Sequence, residues 1–539
     1  MIIPKVYNEN YILSKMKKKN APLFILTDAY KDSICEIAYI GKKGYTIPKA
    51  NLQKEDLEFL QKDLFVKPEI FGNYTNDDST SFPVYRENDK KIYIPRFYGI
   101  NRYGKPLNND LTSGDDIRLD FTKTLRDYQT NIVNIYIDAV NVPISISKKS
   151  CSGSGGILEV PCGKGKTVMA LKIISMLSKK TLVIVHKEFL MNQWIDRIAE
   201  FLPGARIGKI QGTTFDIENK DIVIGMIQTM YDRSYSADTF SSFGLTIIDE
   251  VHRIGSEQFS KTLFKTITPY MLGISATLER KDKLTKILHM FIGEKVYGES
   301  RQADDQVCVR SIKYISKDRE FNETELDFRG KPKYSTMITK LCKYGPRSDF
   351  IVQCLNDMLI EYPSSQIMVL CHNRSLLTYL FECIQHKKFA TTGYYVGGMK
   401  QKDLQETETK QIVLATYAMA AEALDIKTLS ILFMVTPKTD ITQSVGRILR
   451  VKHEHPIVVD IVDNHDLFQN QWNSRKRFYK KCNYKIIGSD SIQYSGKTTN
   501  WKTIYEPSDK KKGDEENEKD IPPPAKCLID TSIFANLNI

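Results

Sequence analysis

The chain has 539 residues, and at about 150 residues per domain that length implies three or four domains and rules out one compact module. Apolar residues make up 41% and charged residues 26%, the values of a folded protein with a sizeable core and not of a disordered chain. The net charge is 77 − 65 = +12, which favours a polyanionic partner such as nucleic acid, although the excess of Lys over Arg with frequent Ile, Asn and Tyr equally fits an A/T-rich coding genome.

No apolar run approaches the roughly 20 residues that cross a bilayer, and the start Met1-Ile-Ile-Pro-Lys-Val is too polar for a signal peptide. The expectation is a cytosolic protein with no membrane partner. Ten cysteines without a C-x-x-C pair, beside eight histidines, argue against a zinc ribbon, a zinc finger or an iron–sulfur cluster. The thiols are expected to be reduced and mostly buried.

Residues 1–118 mix strand-like segments with polar turns and read as a small α+β accessory domain, with a loop over Gly72–Ser81. Within it, Lys91-Ile-Tyr-Ile-Pro-Arg-Phe-Tyr-Gly-Ile-Asn-Arg-Tyr-Gly104 sets Arg96 and Arg102 among aromatics, a composition that suits base stacking and phosphate contact. The competing reading, the core of a small domain, is stronger. Residues 1–118 carry no convincing nuclease constellation.

From Phe121 to about Ser300, short apolar segments alternate with helical patterns: 156–160, 181–185, 221–225, 245–249 and 271–275. Near-continuous apolar strands separated by helices indicate a parallel sheet covered on both faces. A second series follows at 366–371, 411–415, 430–435 and 457–461. The fold class is therefore α/β, with two such domains in tandem. The expected divisions are an accessory domain over 1–118, a first α/β domain over 119–300, a linker or appendage over 301–345, a second α/β domain over 346–487 and a tail over 488–539. That tail holds the low-complexity Lys510–Asp520 and Pro522–Pro524 segments.

The first strand runs into Val160-Pro-Cys-Gly-Lys-Gly-Lys-Thr167 and then a helical pattern. Such a loop offers backbone N–H groups to phosphates at the positive end of a helix. Pro161, Cys162, Gly163, Lys164 and Gly165 form the cradle, Lys166 meets the β- and γ-phosphates, and Thr167 ligates magnesium. Val160 stands where the pattern G-x-x-x-x-G-K-[ST] has its first Gly, so an incidental Gly/Lys turn stays open at this point. About eighty residues on, a buried strand ends in Asp249-Glu250-Val-His252. Asp249 suits a magnesium ion and Glu250 the water that attacks the γ-phosphate. Two acids solvating a strand end is the plainer alternative, and pairing with the loop weakens it.

In order and placement these motifs resemble superfamily 2 helicases of the DExH type, nearest to the XPB-like helicases and their relatives in large cytoplasmic DNA viruses, over roughly residues 120–485. The resemblance implies two tandem RecA-like domains that use ATP and Mg2+. Leu125-Arg-Asp-Tyr-Gln129 resembles the adenine-reading segment, through Arg126 and Gln129. His186 in His186-Lys-Glu-Phe-Leu190, with Gln228 and Thr229 in Ile227-Gln-Thr229, matches positions that hold the nucleic-acid backbone. His252, Ser275 and Thr277 fall where nucleotide state is coupled to that track, with Leu278 replacing the usual Pro. In the second domain, Asn373 and Thr416 fall at further backbone contacts, Glu422, Asp425 and Gln443 lie near the nucleotide, and Gln443-Ser-Val-Gly-Arg-Ile-Leu-Arg450 supplies arginine fingers, Arg450 first and Arg447 second. The Pro-Arg-Phe-Tyr-Gly segment at 95–99 resembles the N-terminal modules of the viral relatives.

The resemblance implies a DNA-dependent ATPase and helicase in viral transcription (elongation or transcript release) or replication. It would work in the host cytoplasm or viral factory beside the viral transcription machinery, with packaging in the virion left open. An RNA helicase, a non-catalytic nucleic-acid-binding scaffold and a nuclease-partnered motor are the alternatives, and the residues do not decide oligomeric state.

Overall fold

The computed structural model describes residues 26–68, 81–141, 154–161, 163–236, 238–253, 257–278, 284–299, 307–422, 426, 428–439, 441, 445 and 456–507. The N-terminal module comprises a helix Asp28–Ile37, β1 (Tyr39–Gly41), β2 (Gly44–Pro48), a helix Lys54–Asp63, β3 (Phe65–Val66), β4 (Phe82–Pro83), β5 (Arg86–Glu87), β6 (Lys91–Ile94), a helix Arg96–Tyr103 and β7 (Asn108–Asn109). Its sheet runs β5-β6-β2-β1-β7, antiparallel except for the β1–β7 pair, and β3 with β4 forms a separate ribbon.

The arginine- and aromatic-rich segment of this module faces inward, not toward a polyanion. Arg96 is 3% exposed and donates from Nη1 to the carbonyls of Thr268 and Pro269, both at 3.0 Å, tying the module to the first α/β domain. Burial pulls its guanidinium down to about 10. Arg102 pairs with the buried Asp56, whose Oδ2 also accepts from Tyr103 Oη at 2.6 Å. The helix Arg96–Tyr103 packs on the helix Thr285–Ile292, and Met290 lies against the cores of both units. The core reading of Arg96 and Arg102 therefore holds, and base stacking there does not.

The first α/β sheet contains β8 (Gly155–Glu159), β9 (Thr181–Val185), β10 (Ile207–Gln211), β11 (Thr214–Phe215), β12 (Ile222–Met226), β13 (Leu245–Asp249), β14 (Tyr270–Ser275) and β15 (Lys295–Gly298). Their order is β11-β10-β12-β9-β13-β14-β8-β15, parallel apart from β11. Helices cover both faces. Leu182 and Ile184 of β9 enter one core cluster while Val183 and Val185 enter the other, which is why the strand reads as an unbroken apolar run. The half-exposed β10 and the edge strands β11 and β15 lack that run, and the sequence pattern passes over them.

The second sheet contains β16 (Cys308–Tyr314), β17 (Gln366–Cys371), β18 (Thr392–Tyr395), β19 (Ile412–Thr416), β20 (Leu429–Met434), β21 (Ile457–Asp463), β22 (Lys485–Asp490) and β23 (Lys502–Tyr505), in the order β18-β19-β17-β20-β21-β16-β22-β23. Only β23 runs antiparallel. Two expected divisions are corrected here. Within the expected linker 301–345, residues 308–314 belong to the second sheet, because β16 is an interior strand between β21 and β22, with Val309 and Ile312 buried. The sheet also extends beyond 488, because β23 pairs with β22 and Trp501 packs against the core. Most of the expected loop 72–81 and all of 510–524 lie outside the described residues. Among the described residues no helix is long and apolar enough to cross a membrane.

Candidate nucleotide site and strand track

In parallel α/β sheets, ligands gather at the carboxyl ends of the strands. The first domain brings its chemistry to that edge from three adjacent strands, β13, β14 and β8.

After β8, the buried Pro161 leads into a loop whose Gly163 and Gly165 hold φ of +85° and +82°, left-handed values that side chains resist. A Cβ on Gly165 would also lie 2.5 Å from Gln129 Nε2. Gly165 is the N-cap of the helix Lys166–Leu177 and supplies no capping side chain, so the first-turn N–H groups are left for a ligand. Lys164 Nζ lies 3.6 Å from Glu299 Oε1, and Lys164 O accepts from Gln129 Nε2 at 3.0 Å and from Tyr128 Oη at 3.1 Å. Gln129 Oε1 in turn accepts from the backbone N–H of the exposed Arg126 at 3.0 Å. The Gln129 amide thus braces the loop, with one N–H and one lone pair still able to meet a base edge.

Asp249 and Glu250 end β13. Glu250 adopts φ +51°, an uncommon conformation for a residue with a side chain, and one that turns the backbone sharply at the strand end. Its Oε1 lies 3.5 Å from Lys166 Nζ, and its Oε2 lies 3.3 Å from His252 Nδ1. Asp249 is 5% exposed and accepts from Trp194 Nε1 at 2.8 Å. Burial, then the neighbouring Glu250 charge, pushes its carboxyl up to about 6 against the pull of Trp194 and Lys166. His252 Nδ1 lies 2.8 Å from Ser275 Oγ, which donates to Thr277 O at 2.6 Å, so β13 and β14 are joined by side chains beyond their strand ends.

Hard oxygen donors from Asp249 and Thr167 beside a phosphate cradle fit Mg2+. Among the described residues no group of three or more His, Cys, Asp or Glu is arranged to hold a metal alone.

The strand-holding candidates sit on the same edges. Gln228 Nε2 donates to His186 O at 3.0 Å, and Thr229 Oγ1 accepts from Gly212 N–H at 3.0 Å, so both also shape the loops beyond β9 and β12. In the second domain, Asn373 caps the helix Arg374–Lys387 through Ser375 N–H at 2.9 Å, and Thr416 ends β19 in register with Cys371 of β17. Phe189 packs against cores of both domains, bringing the segment after His186 up to the second. Cys162, Asp425, Gln443, Arg447 and Arg450 lie outside the described residues. Trp194 is the residue that sequence reasoning missed. A buried indole N–H needs an acceptor, but nothing local names one 55 positions away.

Residues 122–280 match the family model described as type III restriction enzyme, res subunit. A protein of Acanthamoeba polyphaga mimivirus named "Putative ATP-dependent RNA helicase L396" is 34% identical over 458 residues, covering 83% of this chain and 86% of its own. An African swine fever virus protein named "Putative ATP-dependent RNA helicase QP509L" is 27% identical, covering 67% of this chain and 75% of its own. The "DNA 3'-5' translocase XPB2" of Sulfurisphaera tokodaii is 24% identical, covering 63% and 81%. This chain belongs to the XPB-like superfamily 2 helicases of large DNA viruses, and its two α/β units are the tandem RecA-like domains of that family.

Proposed function

We propose that the protein is a DNA-dependent ATPase that moves along a strand, and separates a duplex ahead of it, in viral transcription or replication. The observation that carries the reading is the meeting of Lys166, after β8, with Asp249 and Glu250 at the end of β13, two strands on either side of β14, beside a loop opened by two left-handed glycines. Lys166 binds the terminal phosphates, Glu250 orients the attacking water, and Asp249 with Thr167 holds Mg2+, which would neutralise phosphate charge as it develops. Arg450, with Arg447 second, is assigned the arginine finger on the strength of its motif.

His252 and Ser275 carry a change at Glu250 to the loop beyond β14. Thr229 and Thr416 grip the strand from opposite domains, so that closure and reopening of the cleft shift the grip. The test compares ATPase stimulation by single-stranded DNA, duplex DNA and RNA, followed by unwinding of tailed duplexes. Stimulation by RNA alone would replace DNA with RNA as the track, a second reading favoured by the names of the two viral relatives. ATPase that no nucleic acid stimulates would sink both.

A further inference from the structure

The segment between the two sheets carries a feature that the motif set leaves unused. Phe328 is 91% exposed, the largest exposure of any large hydrophobic side chain among the described residues. It stands on a tightly bonded turn. Asp327 Oδ1 accepts from Arg329 N–H at 2.8 Å and Lys331 N–H at 2.9 Å, and Asp327 N–H donates to Lys331 O at 2.7 Å. Leu326 and Pro332 form a bridge below it, Lys333 N–H donates to Glu325 O at 2.8 Å, and Gly330 takes φ +71°. The returning limb presents Arg329, Lys331 and Lys333, with the Arg329 guanidinium 4.9 Å from the Phe328 ring centre. On the outgoing limb Asp327 accepts from backbone N–H groups and its charge is felt by Arg329 and Lys331, Glu325 lies 4.0 Å from Lys340, and Glu323 is exposed, so three basic side chains face one acid at the tip of the turn.

The turn is rooted beside the strand-holding edge of the second domain. Tyr334, the next residue, donates from Oη to Pro437 O at 3.1 Å, and its ring meets that of His372 edge-on at 6.4 Å. His372 in turn lies 4.7 Å from the Tyr417 ring. His372 precedes Asn373, and Tyr417 follows Thr416. We propose that the turn Glu325–Lys333 is a nucleobase-stacking element, with Phe328 as the platform and Arg329, Lys331 and Lys333 on the flanking phosphates; this rests on the nucleic-acid-tracking function proposed above. A single ring backed by a guanidinium has the size and character of a base platform, tolerant of sequence because every base has a π-face. Leu326 at the base of the turn is also 51% exposed, but two side chains on a narrow turn fall short of the wide contiguous apolar patch that a protein-binding surface needs.

The test uses the full chain as wild type, Phe328→Ala and Phe328→Trp. Phe328 is outside the core, so all three are expected to fold alike. Phe328→Ala should lose about tenfold in affinity for single strands, read by anisotropy, and about tenfold in unwinding of a tailed duplex, and the strand concentration that half-stimulates its ATPase should rise by a similar factor. Phe328→Trp should retain both, and its fluorescence, corrected for the wild-type tryptophans, should be quenched on adding an oligonucleotide. Unchanged affinity and unwinding in Phe328→Ala, or no quenching in Phe328→Trp, would overturn the stacking role and leave a protein contact as the turn's use. If the wild type itself shows no stimulated ATPase, it is the functional reading that has failed, and that outcome is read before either variant is made.

Discussion

Asp249 in the first domain and Asp460 and Asp463 in the second are all buried on parallel strands, yet they are surrounded differently. Asp249 accepts from an indole N–H, sits against a second carboxylate and rises to about 6. Asp463 is closed by Arg347, with Nε at 2.6 Å and Nη2 at 2.8 Å, both side chains fully buried. Asp460 is closed by Arg475 at 2.7 and 2.9 Å and by Tyr479 Oη at 3.1 Å. One sheet sets its buried acid against a second carboxylate, and the other faces each of its acids with an arginine fork, although burial raises Asp460 as well. The same architecture thus separates a reacting edge from a rigid one by the side chains opposite the acids.

Lys166→Ala gives the largest expected effect, loss of nucleic-acid-stimulated ATPase by roughly 100-fold or more with unchanged thermal stability. Full activity in that variant would remove the first domain's claim to a reacting edge. Arg347→Met should instead strand a buried Asp463 charge and cost about 3–5 kcal/mol, read as a lower unfolding midpoint of the second domain. An unchanged midpoint would break the contrast from the other side.

Asp249→Asn should abolish ATPase while raising the unfolding midpoint of the nucleotide-free protein. Its folded value of about 6 lies above the ordinary 3.8, so the folded state binds more protons and the burial penalty is full above about pH 6 and gone near pH 4. The stabilisation should appear at pH 7 and vanish near pH 4; a gain independent of pH would contradict the charge as its cause. Smallest is Trp194→Phe. Losing a hydrogen bond that lowers the Asp249 value should move the acid limb of the ATPase profile to higher pH, with a loss of about three- to tenfold at pH 6 and less at pH 8. A uniform loss across pH would reduce Trp194 to packing.

Legibility followed locality. Strands buried on both faces, such as β9 and β17, stand out as apolar runs, whereas β10 with one exposed residue in its middle and β16 in a charged neighbourhood do not. Glycines flanking Lys164 and carboxylates ending β13 mark the site because their chemistry depends on neighbours in sequence. Arg96 misleads, because a buried arginine facing the carbonyls of Thr268 and Pro269 and a surface arginine facing phosphate look alike along the chain.

By itself the sequence determined that two parallel α/β units follow an accessory module, and that a phosphate loop and an acidic strand end belong to one motor, since periodicity and motif order are properties of neighbouring residues. Tertiary structure alone decided that Trp194 supports Asp249, that residues 308–314 fill the second sheet and that Phe328 stands in solvent on a turn followed by Tyr334, whose ring meets His372. Each depends on contacts between segments tens to more than a hundred residues apart, which form only when the sheets assemble.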